Sequence, residues 1–194
     1  DYWRGNTDAK PKNGFSVTKS VTSTLVGIAQ DRGLLDVDDR ASRYIREWRG
    51  RLVVARGHVL LFSEPMNYGL RDARHGFVQM PERITWFEAM DTGMYVGTTK
   101  KVYWLSGTTP KDLSVKTVEL NPPVGGASIL MSVADTGLDV KYENCAVWLG
   151  ANGYSFGMPS GDVVRPVSSI FRINTLDMTG KLALVDGVLT TVLQ

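Results

Sequence analysis

Two periods of apolar residues divide the chain. Val17, Val21, Leu25, Ile28 and Ala29 recur at steps of three and four, which puts them on one stripe of a helix. Gly33 in "QDRGLLDVDD" suits the left-handed residue that follows a helix end. Asp36, Asp38 and Asp39 offer an N-cap for a second short helix through "ASRYIREW", residues 41–48. From Gly50 onward the period becomes that of strands. Short β-branched and aromatic runs are separated by Gly, Asn, Asp and Pro turns.

One pattern in this second region occurs four times. The copies are "RLVVARGHVLLFSEP" from Arg51, "GMYVGTTKKVYWLSGTTP" from Gly93, "CAVWLGANGYSFGMPSG" from Cys145 and "KLALVDGVLTTVLQ" from Lys181. In each, an apolar strand meets a tight polar or glycine turn and returns as a second strand, the arrangement of a β-hairpin. Aligned on Val54, Val96, Leu149 and Leu184, the copies recur about 42, 53 and 35 residues apart. Those spacings bracket the roughly 40 to 50 residues of a four-stranded propeller blade. Further strands are expected in "RITWFEAM" from Arg83, "SVKTVEL" from Ser114, "SILMSVA" from Ser128 and "DVVRPVSSIF" from Asp162. The expected fold is therefore mainly β, with propeller-like antiparallel hairpins over residues 50–194 after an α-helical segment over residues 1–49. A β-sandwich whose hairpins are alike by accident is the competing arrangement. A closed propeller of at least four blades needs more chain than this, so the ring of sheets is expected to be open.

Composition narrows the function classes. With 194 residues the chain is long enough to bury a real core. A net charge of +2, with basic residues scattered among acidic ones, lacks the electrostatic footprint of a nucleic-acid binder. The densest basic stretch, Arg43 to Arg51, suits a solvated helix end. The single cysteine, Cys145, excludes an internal disulfide and lies beside an apolar run, as a buried thiol does. His58 and His75 stand in no metal-binding spacing, so neither a metal nor a cofactor is expected. No apolar run approaches the roughly 18 residues of a membrane span.

The candidate chemistry lies in "GFSVTKSVTSTLVG". A serine at the first turn of a helix with a lysine three residues later places Ser16 and Lys19 on one face. Lysine can serve as the base that activates a serine, and the helix N-terminus favours a developing oxyanion. An N-cap serine followed by a solvated lysine has the same spacing. Over a longer stretch, "DYWRGN" and "GFSVTKSVTSTLVGIAQDRGLLDVDDRASRYIREW" together resemble the nucleophile region of serine β-lactamase and penicillin-binding-protein-like hydrolases. The resemblance implies Ser16 as the acylated serine and Lys19 as its base. Such sites also use a Y-x-N tyrosine and a Lys-Thr-Gly or His-x-Gly strand. Tyr68 stands in "NYG", Tyr142 and Asn144 match Y-x-N in letters alone, and Thr179 to Lys181 reads "TGK" in the wrong order. A nucleophile without those partners loses most of its rate enhancement, because the parts act as a unit.

Residues 50–194 are similar to the C-terminal part of tailed-bacteriophage virion structural proteins. "FSEP" after a hairpin, the "GMYVGT" strand and the "VWLGANGYSFG" hairpin carry the resemblance, together with the stretches around them. It implies a non-enzymatic assembly role, with other virion or assembly proteins as partners, in a virion or in the cytoplasm of an infected bacterial cell. Trp86, Tyr95, Tyr103, Trp104, Trp148 and Tyr154 are the candidate interface anchors. Their alternation within strands also suits an intersheet core. The two resemblances meet at "EWRGRLVV", so the chain has the character of a hybrid. The alternative activity is that of a serine hydrolase using Ser16 and Lys19. An uncovered stripe of Val17, Val21, Leu25 and Ile28 would make the chain associate with itself.

Overall fold

The computed structural model describes residues 44–166 and 172–194, in a unit that runs Ser42–Gln194. Ser16, Lys19 and the helix expected over Val17 to Ala29 lie outside the described residues.

All four expected hairpins form, and each is antiparallel. They are β2 (Arg51–Arg56) with β3 (Val59–Phe62), β6 (Gly93–Thr98) with β7 (Val102–Ser106), β10 (Asn144–Gly150) with β11 (Gly153–Gly157), and β13 (Gly180–Val185) with β14 (Val188–Leu193). Three of them are extended on both sides. β1 (Ile45–Trp48) and β4 (Phe77–Gln79) flank the first, β5 (Ile84–Met90) and β8 (Ser114–Glu119) the second, and β9 (Ser128–Ser132) and β12 (Val163–Val164) the third. Each of the three sheets is a meander in which strands adjacent in sequence are hydrogen-bonded. The fourth sheet has two strands, and none of the described sheets closes into a barrel.

Two sequence expectations need correction, and one strand was not expected. Ile45–Trp48 is a strand, not part of a second helix. Its residues pair with β2 through Trp48↔Arg51, around a two-residue turn in which Arg49 (φ 51°) and Gly50 (φ 74°) both have positive φ. That geometry matches the twist of a hairpin, and it commits the preceding residues to pairing. Arg and Glu are good helix formers, but Trp48 is buried in the core, so tertiary packing overrides local propensity. Second, Phe77–Gln79 forms β4, a strand of three residues too short to show a strand period. Third, only Val163–Val164 of "DVVRPVSSIF" is strand among its described residues, because Pro166 has no N–H to continue a ladder.

The sheets pack face to face. Between the first and second sheets lie Trp48, Val53, Leu60 and Phe62 against Phe87, Met94, Val96 and Leu105. Trp48 meets Phe62 edge-on, with ring centroids 5.8 Å apart. Between the second and third sheets, Trp86, Tyr95 and Trp104 pack with Ala146 and Trp148. Between the third sheet and the β13–β14 hairpin lie Met131, Cys145, Val147, Phe156 and Leu182. Alternation along β6 sends Met94 and Val96 to one core and Tyr95 to the other. β10 divides Cys145 and Val147 from Ala146 and Trp148 in the same way. Both strands are therefore apolar on two faces and read as continuous hydrophobic runs. The leading strands adjoin across the sheets: β1 and β2 lie beside β5, and β9 lies beside both β5 and β13.

Glycine makes the closest intersheet approach possible. At Gly97 in β6, a Cβ would collide with the indole of Trp86, itself fully buried. Gly97→Ala is therefore expected to destabilise by about 1–3 kcal/mol, as overpacking does. Gly69→Ala, where a Cβ meets nothing within 4 Å, should change stability by less than about 0.5 kcal/mol. Urea denaturation of the two variants checks the contrast.

Candidate functional site

The tyrosines and tryptophans weighed as interface anchors or as intersheet core are core residues. Trp86, Tyr95, Tyr103, Trp104 and Trp148 are all buried, and Tyr154 is half-buried. Tyr95, Trp104, Trp148 and Trp86 form a chain of ring contacts with centroids 4.6 to 5.6 Å apart. The Tyr95 hydroxyl hydrogen-bonds the Met158 carbonyl at 2.9 Å and lies 3.0 Å from that of Asp162, and burial raises its pKa above the ordinary tyrosine value. Burial also pushes the Cys145 thiol up to about 11, so it is a packed side chain with little thiolate character.

The elements matched in letters to a hydrolase site lie on different connections and strands. Tyr68 lies in the connection from β3 to β4, Tyr142 just ahead of β10 with Asn144 as that strand's first residue, and Thr179 to Lys181 at the start of β13. Ser16 and Lys19 lie outside the described residues. Among the described residues, no group of three or more His, Cys, Asp or Glu is arranged to hold a metal ion. No described helix is long and apolar enough to cross a membrane.

The polar chemistry that tertiary structure does assemble lies at the seams between sheets. Glu88 in β5 is 1% exposed, yet its carboxylate serves three sheets. Arg46 of β1 donates to it as a fork, Nε to Oε2 at 2.9 Å and Nη2 to Oε1 at 2.8 Å, and Ser128 of β9 donates to Oε1 at 2.8 Å. Such a bidentate, charge-assisted pair sets orientation as well as energy. The Arg46 guanidinium also lies 5.9 Å from the centroid of the Phe87 ring. At the second seam, Glu119, the last residue of β8, accepts from Trp148 Nε1 at 2.8 Å, with Arg165 Nη2 at 3.8 Å. Gly150 leaves room for that carboxylate: a Cβ there would lie 2.6 Å from Glu119 Oε1. Sequence reasoning missed both glutamates. Their only signal was a charge inside an apolar strand, in "WFEAM" and "TVEL".

A cavity of about 210 Å³ opens between the β3–β4 and β7–β8 connections, lined by Arg51, Glu64, Asp72, His75, Thr109 and Lys111 among others. Asp72 Oδ1 accepts the Arg74 N–H at 2.8 Å, and Oδ2 lies 3.0 Å from His75 Nδ1. These bonds, the Arg74 one foremost, hold the Asp72 carboxyl down at about 2. Thr109 is similarly committed. Its N–H and hydroxyl both reach Asp112 Oδ1, at 2.6 and 3.1 Å. The cavity is thus a polar recess whose Asp72 and Thr109 are hydrogen-bonded within their own turns.

No protein-family model matches the chain, and no curated protein is significantly similar to it.

Two expectations follow from these contacts. Arg46→Met strands the Glu88 carboxylate in the seam and should cost about 3–5 kcal/mol. Glu88→Gln should cost less, because Arg46, at 27% side-chain exposure, can hydrate. Chemical denaturation of both variants reads the asymmetry, and equal losses would contradict it. The second concerns pH. The Thr109 N–H, then the Thr108 hydroxyl, lower the Asp112 pKa from 3.8 to about 2. A depressed carboxylate stabilises the fold above its unfolded value, and that stabilisation fades as pH falls through the folded one. The Thr108–Asp112 turn should therefore loosen between about pH 4 and pH 2. Amide exchange at Thr109, taken as protection relative to the unstructured rate at each pH, measures this, and in Asp112→Asn the loss of protection over that window should vanish.

Proposed function

We propose that this chain is a non-enzymatic structural or assembly protein of the virion type, built from propeller-like β blades, with other virion or assembly proteins as partners. The observation that carries the reading is the succession of three four-stranded meanders, each in simple chain order, packed face to face with their leading strands adjacent. Blades in a propeller have this order and this stacking. The spacing of the four hairpins and the resemblance of residues 50–194 to tailed-phage virion proteins point the same way. The large aromatic side chains are spent on holding sheets together, which suits a scaffold whose loops and edges meet partners. Its place would be a virion or the cytoplasm of an infected bacterial cell.

A second reading rests on the resemblance around Ser16. In it the chain is a serine hydrolase of the β-lactamase or esterase type, with Lys19 taking the serine proton as Oγ attacks an amide or ester carbonyl. The full chain, treated with a fluorescent phosphonate and with a labelled penicillin, separates the two. The assembly reading expects no stoichiometric adduct. Stoichiometric labelling that vanishes in Ser16→Ala would overturn it in favour of the hydrolase.

A further inference from the structure

Positive charge collects at one end of the first two sheets. Arg56 closes β2 and is followed by the Gly57–His58 turn, Arg83 directly precedes β5, and Lys100 and Lys101 lie in the turn from β6 to β7. Backbone bonds clamp these segments side by side. The Ile84 N–H donates to the Gly57 carbonyl at 2.8 Å, the Met80 N–H to that of His58 at 2.7 Å, and the Thr99 N–H to that of Arg83 at 2.9 Å. The Thr98 N–H closes the lysine turn on the Lys101 carbonyl at 2.9 Å. Basic side chains from distant parts of the sequence are thereby held together.

The acidic groups nearby are already committed. Glu82 Oε2 accepts from the Tyr103 hydroxyl at 2.9 Å and lies 3.2 Å from that of Thr98. Glu119, opposite Val102 in the β7–β8 ladder, accepts from Trp148. Among the described residues, no ion pair or side-chain hydrogen bond engages Arg56, His58, Arg83, Lys100 or Lys101. The first four of these are exposed and Lys101 is half-buried. The two arginines and two lysines less Glu82 give this end a charge of +3, against +2 for the whole chain, so the remaining residues sum to −1. The positive charge of this protein is therefore local.

We propose that this end of the first two sheets docks an acidic protein surface, rich in Asp and Glu side chains, on an assembly partner. This rests on the assembly reading and names the chemistry of its partner. Like charges fixed on a common backbone repel one another, and carboxylates arriving from a partner relieve that repulsion while setting register and speeding encounter. A nucleic acid fits less well. A duplex carries a charge about every 1.7 Å along its axis. These cations occupy two turns, and the rest of the chain is slightly acidic, so further phosphates would meet no counter-charge.

Fluorescence anisotropy of a labelled oligo-glutamate peptide, titrated with the full chain over a sodium chloride series, tests the patch. Binding is expected at low ionic strength and should fall as salt rises. Arg83→Gln with Lys100→Gln should weaken it about tenfold at low salt. Lys116→Gln with Lys141→Gln removes the same charge from exposed positions elsewhere and should leave it within about twofold. Circular dichroism should be unchanged in both pairs, because all four side chains are exposed. Equal losses in the two pairs overturn the site, since net charge alone then accounts for the binding, and so does a peptide that fails to bind at low salt. A duplex oligonucleotide of random sequence that binds more tightly than the peptide overturns the partner's class. A gain of about tenfold or more on Asp36→Asn, Asp38→Asn and Asp39→Asn together also overturns the partner, because the chain's own acidic stretch then fills the patch. None of these results removes the assembly reading, which the phosphonate and penicillin labelling judges separately.

Discussion

The architecture depends on β6 and β10 burying both of their faces. A strand with one wet face can alternate apolar with polar residues, but a strand between two neighbouring sheets has no wet face. β6 therefore serves the first core with Met94 and Val96 and the second with Tyr95, while Gly93 and Gly97 keep that second side thin enough for Trp104 and Trp86. Single substitutions along these strands are felt by two cores at once. Among the described residues, the β13–β14 hairpin meets a neighbouring sheet on one face, and Val185, Val188 and Val192 on the other are exposed.

Such stacking leaves little room for charge, which gives Glu88 and Glu119 their weight. Each carboxylate is buried where strands of different sheets converge, and each is satisfied by donors from across the seam. An unpaired carboxylate would be strongly unfavourable in that position, so the donors and acceptors specify one alignment of the sheets. Two buried indole N–H groups, of Trp48 and Trp86, have no such acceptor among the described residues. There, packing around the rings outweighs an unmade hydrogen bond.

Function follows from where polar groups converge as much as from which ones are present. The serine-and-lysine motif of Ser16 and Lys19 is a local feature, whereas a hydrolase site needs strands that bring a second base and oxyanion donors to it. Tyr68, Tyr142 and Lys181 occupy separate connections and strands. The assembly reading rests instead on repeated meanders, a feature of backbone order that no short motif encodes.

Local pattern was enough to locate the four hairpins, because strand period and turn chemistry act over a few residues: Asp186–Gly187 and Gly57 mark their turns directly. It was also enough to place Cys145 in the core and to expect β5, β8 and β9. It misjudged "IREW", whose helix-favouring residues are overruled by a turn at Arg49–Gly50 and by the burial of Trp48. It could not show β4, which exists through pairing with β3, nor the meeting of Arg46, Glu88 and Ser128, which are 42 and 40 residues apart in pairs. Residue type and period set what each segment can become. Which segments meet, and hence which charges are neutralised, depends on contacts between distant strands, and only the folded chain decides it.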